Sequence, residues 1–472
     1  MDPEFRAHAH EIVDWIADYL EGIERYPVAS QVQPGRIRTQ IPDSPPLTGE
    51  PFDALLNDFK SIILPGMTHW QHPSFFAYFP ANSSPPSIYA EMLTAALGAQ
   101  CMSWITSPSA AELEERMMQW LREMLGLPAA WEGVIQDTAS TSTLCSLLTA
   151  REERSRHEIN RRGFSPADTF TVYCSVEAHS SVEKAVRISG IGRENLRKID
   201  VDEAFAMRPD ILERRIEQDK GAGFVPLCVI DALGTTGSTA VDPLKEIGAV
   251  AKRHGLWLHV DAAFAGTALI LPEFRHLLDG MESVDTFVFN PHKWMFTNFD
   301  CSAYFVRDRE ALVRTFEILP EYLKTREKQH VNNYRDWGIQ LGRRFRALKL
   351  WFVIRTYGVE GIRSMVREHI RMGQELRQAM EKEPDFEILA PVWCNVVCFR
   401  YKPVSVHGDG QLNSLNMELM DRLNATGRLY LTHTKLNGRT ALRLVIGQTS
   451  VERRHVAAAW DSIRRTAREL SS

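Results

Sequence analysis

Between about residue 86 and residue 350, short apolar runs alternate with longer stretches of helical periodicity. Strands are expected at 169–174, 227–231, 256–260 and 286–289. This alternation predicts an α/β fold with a mainly parallel sheet between helix layers. In open sheets of this kind, ligands bind in the crevice outside the carboxyl ends of the strands. Here those ends carry Glu177-Ala178-His179, Gly234-Thr235-Thr236-Gly237, Asp261 and Asn290-Pro291-His292-Lys293. Four strand ends with chemical potential are expected to feed one site.

Lys293 says most about the chemistry. It stands just past a short apolar strand, directly behind His292, and no other lysine lies between Lys252 and Lys324. A partly desolvated lysine loses its proton readily, and the neutral amine can condense with an aldehyde cofactor such as pyridoxal phosphate. Asp261 complements it, because that cofactor works as an electron sink only while a carboxylate keeps its ring nitrogen protonated. Alone, each residue is ambiguous: a lysine after a strand is usually solvated, and an aspartate there is often a turn former or helix cap. The run Thr138-Ala139-Ser140-Thr141-Ser142-Thr143, ahead of a helical pattern from Leu144 to Arg151, offers hydroxyls and backbone N–H groups to a phosphate. Such a run is also a common cap. His179 could stack on a pyridine ring or bond a substrate carboxylate, although a lone histidine is more often a satisfied core residue. His292 could touch a phosphate or position Lys293.

Composition narrows the partners. At 472 residues the chain is expected to form two or three domains. Its 55 basic and 60 acidic residues leave a formal charge of -5, with no footprint for nucleic acid, so a small soluble ligand is expected. Met1-Asp2-Pro3-Glu4 is acidic where a secretory signal is basic, and no apolar run is long enough to cross a bilayer, so a cytoplasmic enzyme is expected. Seven cysteines without a Cys-x-x-Cys pair argue against a disulfide framework or zinc knuckle, and no metal is expected. There is no Walker loop, no Gly-x-Ser-x-Gly elbow and no His-Glu-x-x-His pattern, and Gly190-Ile191-Gly192 lacks the third glycine of a dinucleotide fingerprint.

The flanks read differently. Ile12, Trp15, Ile16, Tyr19, Leu20 and Ile23 form one helical stripe that must be covered, by the chain's own body or, as favoured here, by a second subunit. Residues 27–51 are rich in proline and polar residues and read as an extended connection. Trp70 to Pro80 is aromatic, with core packing as the commoner fate of such a cluster. The polar stretch 318–337 reads as a long loop of the kind that forms lids. Beyond residue 350, strands near Val396–Phe399 and Leu442–Ile446 suggest a smaller domain. Its closing helix, with Val456, Ala459, Trp460, Ile463, Ala467 and Leu470, follows the capping pattern Thr449-x-x-Glu452. The expected divisions are 1–85, 86–350 and 351–472.

The runs THWQHPSFFAYFP (68–80), EAHSSVEKA (177–185), LGTTGS (233–238), WLHVDAAFAG (257–266), FNPHKW (289–294), FDCSAYFV (299–306) and LGRRFRALKLWF (341–352) resemble the group II pyridoxal-phosphate decarboxylases. Within that group the chain is similar to aromatic-L-amino-acid decarboxylases. The resemblance implies fold type I of the aspartate aminotransferase class. It has a mainly parallel sheet in a large domain, a smaller C-terminal α+β domain and an N-terminal helical arm. It also implies a homodimer with active sites at the subunit boundary and an aromatic L-amino acid as substrate. Carried over by motif, Lys293 bonds the cofactor aldehyde, Asp261 pairs with the ring nitrogen and His179 stacks on the ring. Ala139, Ser140, Asn290, His292 and Thr286 are implied near the phosphate, and Thr236 and Ala263 as further cofactor contacts. Tyr322 is implied on a catalytic lid as proton donor to the substrate α-carbon. Related plant aldehyde synthases carry phenylalanine there, so Tyr322 favours simple decarboxylation. Trp70, Tyr78, Phe79, Pro80, Ala81 and Met102 resemble the side-chain pocket, to which His179 also belongs. Ala81 departs from the threonine of animal relatives, which leaves the preference for ring hydroxyls open. Gly342 stands where plant relatives use glycine for indoles and serine for phenols, which favours tryptophan-like substrates. The alternatives are an aldehyde synthase, another amino-acid decarboxylase on the same fold, and a non-catalytic cofactor-binding scaffold.

Overall fold

The structure, a computed structural model, describes residues 3–318 and 331–471. In chain order its elements are α1 (Phe5–Glu21), α2 (Phe52–Asp58), α3 (Pro85–Leu97), α4 (Pro108–Leu125), β1 (Glu132–Gln136), α5 (Ala139–Ser155), α6 (Glu158–Arg162), β2 (Phe170–Ser175), α7 (Ser180–Ile188), β3 (Leu196–Ile199), α8 (Pro209–Gly221), β4 (Val225–Ala232), α9 (Leu244–His254), β5 (Trp257–Asp261) and β6 (Thr286–Phe289). There follow α10 (Pro291–Trp294), β7 (Ser302–Val306), α11 (Arg309–Phe316), α12 (Ala347–Met380), β8 (Phe386–Ile388), β9 (Val396–Tyr401), α13 (Asp409–Ala425), β10 (Thr432–Leu436), β11 (Arg439–Val445) and α14 (Arg453–Ser471). The chain forms two compact units. One joins Met1–Pro80, Leu376–Ile388 and Cys398–Ser472; the other comprises Ala81–Glu375 and Leu389–Val397.

The larger unit holds a seven-stranded sheet in the order β1-β7-β6-β5-β4-β2-β3. Its strands from β3 to β6 run parallel, and β7 is antiparallel to both β6 and β1. β1 therefore points the same way as β6. The central strands are buried along their length, as strands covered on both faces must be. On one face Val172, Cys174, Cys228 and Ile230 pack against Leu147 and Ala150 of α5 and Val182 and Val186 of α7. Side-chain alternation then places His259 and Asp261 on one face of β5 and Leu258 and Val260 on the other. After β4 the chain turns through Gly234, whose φ of +93° and approach to Ala265 leave no room for a Cβ. A further break lies inside α12 at Gly358, where φ is 65° and ψ is 166°.

In the smaller unit the C-terminal sheet runs β10-β11-β9-β8. The N-terminal aromatic stretch is stitched to it: Phe76 N–H donates to the Tyr430 carbonyl (3.0 Å) and Val445 N–H to the Phe76 carbonyl (3.0 Å). α1 buries none of its residues; Phe5, Ile12 and Val13 are exposed, while Trp15 meets Phe59 edge-on and Tyr19 bonds His69 Nδ1 at 2.8 Å.

Two helix starts differ from the sequence expectation. α5 begins at Ala139 rather than Leu144, since Thr138 adopts the extended conformation of a cap and the small residues after it fill the first turn. α14 begins at Arg453, so Glu452 sits at the cap and not three residues inside. His455 takes the reciprocal role, with its Nδ1 accepting from Glu452 N–H at 2.9 Å.

Candidate active site

The loops after β5 and β6 are tied together before any functional side chain is considered. Asn290 N–H donates to the Ala263 carbonyl (3.0 Å), and Trp294, fully buried, stacks on Phe264 with centroids 5.0 Å apart. Trp294 Nε1 also donates to His369 Nδ1 at 2.9 Å. Asn82 completes the brace, its backbone N–H donating to the His292 carbonyl (2.9 Å) and its Nδ2 to the Lys293 carbonyl (3.0 Å). Lys293 thus sits on a short helix held on two sides, where a flexible side chain loses most of its freedom of placement. Burial lowers the pKa of its amine, and the nearby Asp261 carboxylate opposes that shift.

Asp261 is fixed by a turn of its own, with Oδ1 accepting from Ala263 N–H at 3.1 Å. His179, at the end of the β2 loop, caps α7: its Nδ1 accepts from Ser181 N–H (3.2 Å) and lies 2.8 Å from Ser181 Oγ. That arrangement puts the ring proton on Nε2. The His179 pKa is lowered by desolvation first, raised by Asp261 and lowered by Lys293 and Lys184. The ring nonetheless remains exposed to solvent. The Asp261 charge acts on both His179 and Lys293, and the Lys293 charge acts on His179, so the ends of β2, β5 and β6 converge.

A second group lies at the same edge of the sheet. Ala139 and Ser140 open α5, so their N–H groups have no intrahelical carbonyl to bond. Because β1 runs parallel to β6, this helix start and Asn290 emerge at one end, with Gln136 opposite Ser302 and Phe289 opposite Ala303. Ser302 Oγ donates to Asn290 Oδ1 at 2.7 Å, which leaves the Asn290 amide to present its N–H side. Thr236 is half-buried in the loop after β4.

Thr286 is placed otherwise than expected. Thr286 begins β6 at the opposite end from Lys293, and its hydroxyl lies in the interior, 2.7 Å from Ser146 Oγ and 2.9 Å from His259 Nδ1. It therefore leaves the set that could reach a phosphate at the carboxyl ends. His292 is buried, with Nδ1 accepting from Cys301 N–H at 2.9 Å and the ring edge-on to Phe299. Its pKa is pushed down to about 3, chiefly by burial and then by Lys293, so it stays neutral.

Of the side-chain pocket residues, Ala81, Met102 and Gly342 belong to the larger unit. Gly342 is exposed, and an added Cβ would meet only Gln100 Nε2, at 3.3 Å. Trp70, Tyr78, Phe79 and Pro80 belong to the smaller unit. There Trp70 stacks on Tyr78 (5.8 Å) and Arg443 lies over the Phe79 ring (5.3 Å), while Phe75 and Phe76 are core. Tyr322 falls outside the described residues. Sequence reasoning missed Asn82, whose part depends on backbone carbonyls brought near by the fold, and Ser302, whose partner is the Asn290 side chain.

A helix start with open N–H groups, an amide beside it, a buried amine with a depressed pKa and a carboxylate form a donor set that fits an aldehyde phosphate with a basic ring nitrogen. The comparisons agree. Residues 34–402 match the pyridoxal-dependent decarboxylase conserved domain. The chain is 44% identical to a phenylacetaldehyde synthase of Arabidopsis thaliana, over all of this chain and 97% of the relative. It is 42% identical to tryptophan decarboxylase 2 of Oryza sativa subsp. japonica, over all of this chain and 96% of that one. Among solved structures, an Oryza sativa TDC crystallised with PLP and tryptamine superposes with a TM-score of 0.97 at 36% identity, covering 100% of this chain and 99% of that one. The fold is accordingly fold type I. With the profile match spanning most of the sequence and the donor set in place, the chain belongs to the pyridoxal-dependent decarboxylase family.

Proposed function

We propose that this protein decarboxylates an aromatic L-amino acid to the corresponding amine and carbon dioxide, using pyridoxal 5'-phosphate. The observation that carries the reading is the convergence of Lys293, Asp261 and His179 at neighbouring strand ends, with the Asp261 charge acting on both of the others and Lys293 on His179. When bound, the cofactor supplies an electron sink for the pair released as the carboxylate bond breaks. Lys293 Nζ, whose pKa burial lowers, would hold the cofactor through its aldehyde with loss of water, and the Asp261 carboxylate would keep the ring nitrogen protonated. His179 would pack its ring on the cofactor and leave Nε2–H for the substrate carboxylate. Ala139, Ser140 and Asn290 would hold the phosphate, with Thr236 as a further contact. After carbon dioxide departs, the Tyr322 phenol gives its proton to the substrate α-carbon.

By their motifs, Trp70, Tyr78, Phe79 and Pro80 of the smaller unit and Ala81, Met102 and Gly342 of the larger are the substrate-selecting residues, each stacked ring contributing about 0.5–1.5 kcal/mol beyond burial. No cation stands in the 70–80 stretch to pair with an acidic side chain, which favours aromatic substrates over glutamate. Gly342 favours an indole. The second reading, an aldehyde synthase, is supported by the Arabidopsis relative and opposed by the tyrosine at 322.

The working state is a homodimer, supported by the exposed apolar side chains of α1 and α3. Residues 1–85 serve as its dimerisation arm, 86–350 as the cofactor domain and 351–472 as the small domain. A cytoplasmic setting suits seven cysteines that are all buried and form no disulfide. Among the described residues no helix is long and apolar enough to cross a membrane.

The test is carbon dioxide release and product identification with tryptophan, tyrosine, phenylalanine, dihydroxyphenylalanine and glutamate. Amine from an aromatic substrate is expected. Release from glutamate alone, or from none of them, would overturn the reading.

A further inference from the structure

His259 lies two residues before Asp261 on β5, is wholly buried, and takes no part in the chemistry described above. Its Nδ1 is 2.9 Å from Thr286 Oγ1 on β6, and its Nε2 is 3.2 Å from Thr143 Oγ1 on α5. The chain continues from Thr286 to Ser146 Oγ (2.7 Å) and ends on Trp257 Nε1, which donates to Ser146 at 3.0 Å. Trp257 can only donate. An assignment that satisfies every link has Ser146 donating to Thr286, Thr286 to His259 Nδ1, and His259 Nε2–H to Thr143. Burial pushes the His259 pKa down to about 4, with Asp261 opposing, so the single-proton imidazole this assignment needs is the stable form.

The geography gives the chain its meaning. Thr143 is one turn along α5 from Ala139, whose N–H group opens the helix, and β5 and β6 lead directly to Asp261 and Lys293. An apolar residue at 259 would take the partner of the Thr143 hydroxyl and the acceptor of the Thr286 hydroxyl away in a dry interior, leaving Thr286 only its bond to Ser146.

We propose that His259 is a positioning residue that clasps α5 to β5 and β6. In this way it sets the distance between the phosphate-holding helix start and the residues that hold the cofactor ring. This rests on the cofactor reading given under the proposed function. The clasp acts on the phosphate end, because Ala139 and Ser140 move with α5 whereas Asp261 and Lys293 stay with the strands.

The experiment titrates the full-length apoprotein with pyridoxal phosphate and, separately, with pyridoxal. It compares the wild type with Thr143→Val, His259→Phe and His259→Gln. Thr143→Val changes shape little and should weaken pyridoxal phosphate by about three- to tenfold while moving pyridoxal by less than about twofold, the scale of one lost hydrogen bond. His259→Phe should weaken it more, and His259→Gln, which keeps a donor near the Nε2 position, should lie between Phe and wild type. Equal weakening of both ligands, or an unchanged phosphate dependence in Thr143→Val, would overturn the inference. A wild type that binds neither ligand would instead overturn the cofactor reading.

Discussion

Burial drives the Lys293 amine towards its neutral form while the Asp261 carboxylate pulls the other way, so the reactive state of this lysine is a balance between two named forces. Asp261→Asn removes the opposing charge and should lower the Lys293 pKa further. It should also cost kcat about a hundredfold or more, because nothing then keeps the ring nitrogen protonated. A kcat within about threefold of wild type would exclude Asp261 from that role. Tyr322→Phe removes a proton donor while keeping the ring. The expected outcome in aerated buffer is a shift of product from amine to aldehyde, ammonia and peroxide, with dioxygen and water consumed, read by chromatography and a peroxide assay; unchanged products would remove Tyr322 from the mechanism. The placement of Asp261 at the end of β5 and of Lys293 just past β6 was legible in the sequence, because each follows an apolar run and the pair together suits one chemistry that neither residue indicates alone. Thr286 was misjudged for a physical reason. Its hydroxyl at the start of β6 is claimed by His259 and Ser146, partners 27 and 140 residues away in sequence.

At the scale of elements, β4 and the loop after it carry a buried acidic pair. Asp242 accepts from Met207 N–H (2.7 Å) and Ala232 N–H (2.9 Å), and its pKa is pushed up to about 7 by burial. Asp231 is raised further, by burial first and Asp242 second, and its Oδ2 has no hydrogen-bond partner among the described residues. The two backbone donors make Asp242 the carboxylate and Asp231 the protonated partner. A carboxyl whose folded pKa lies above its unfolded value stabilises the fold at low pH, and that stability is lost as pH rises towards the folded pKa. Asp231→Asn, which cannot ionise, should therefore match wild type only below about pH 4, the range of a free aspartate. It should melt about 2 °C or more above it at pH 8 by calorimetry. A difference independent of pH would contradict this. In the large sheet β2, β4, β5 and β6 were legible to within two residues, because buried strands read as continuous apolar runs, whereas β1, β3 and β7 were not expected. The start of α5 was less legible, because serine and threonine signal a cap as readily as a first turn.

Over the whole molecule, Tyr89, Leu93 and Leu97 recur at four-residue intervals on α3, and with Met92 they leave an exposed apolar stripe. Together with the uncovered face of α1, this stripe predicts a dimer near twice the 53.7 kDa of one chain by light scattering. Leu93→Glu with Leu97→Glu should shift that mass towards the monomer; an unaltered dimer would place the interface elsewhere. The α/β character, the small C-terminal sheet and the strand ends that form the site could be read along the chain. The joining of the first 80 residues to the C-terminal segments could not, because that sheet edge pairs Phe76 with Tyr430 across several hundred residues. The most direct measurement is borohydride reduction of the purified holoprotein followed by peptide mass mapping. The account predicts a single pyridoxyl adduct on Lys293, absent from Lys293→Ala; an adduct on another lysine, or one that survives the substitution, would contradict it.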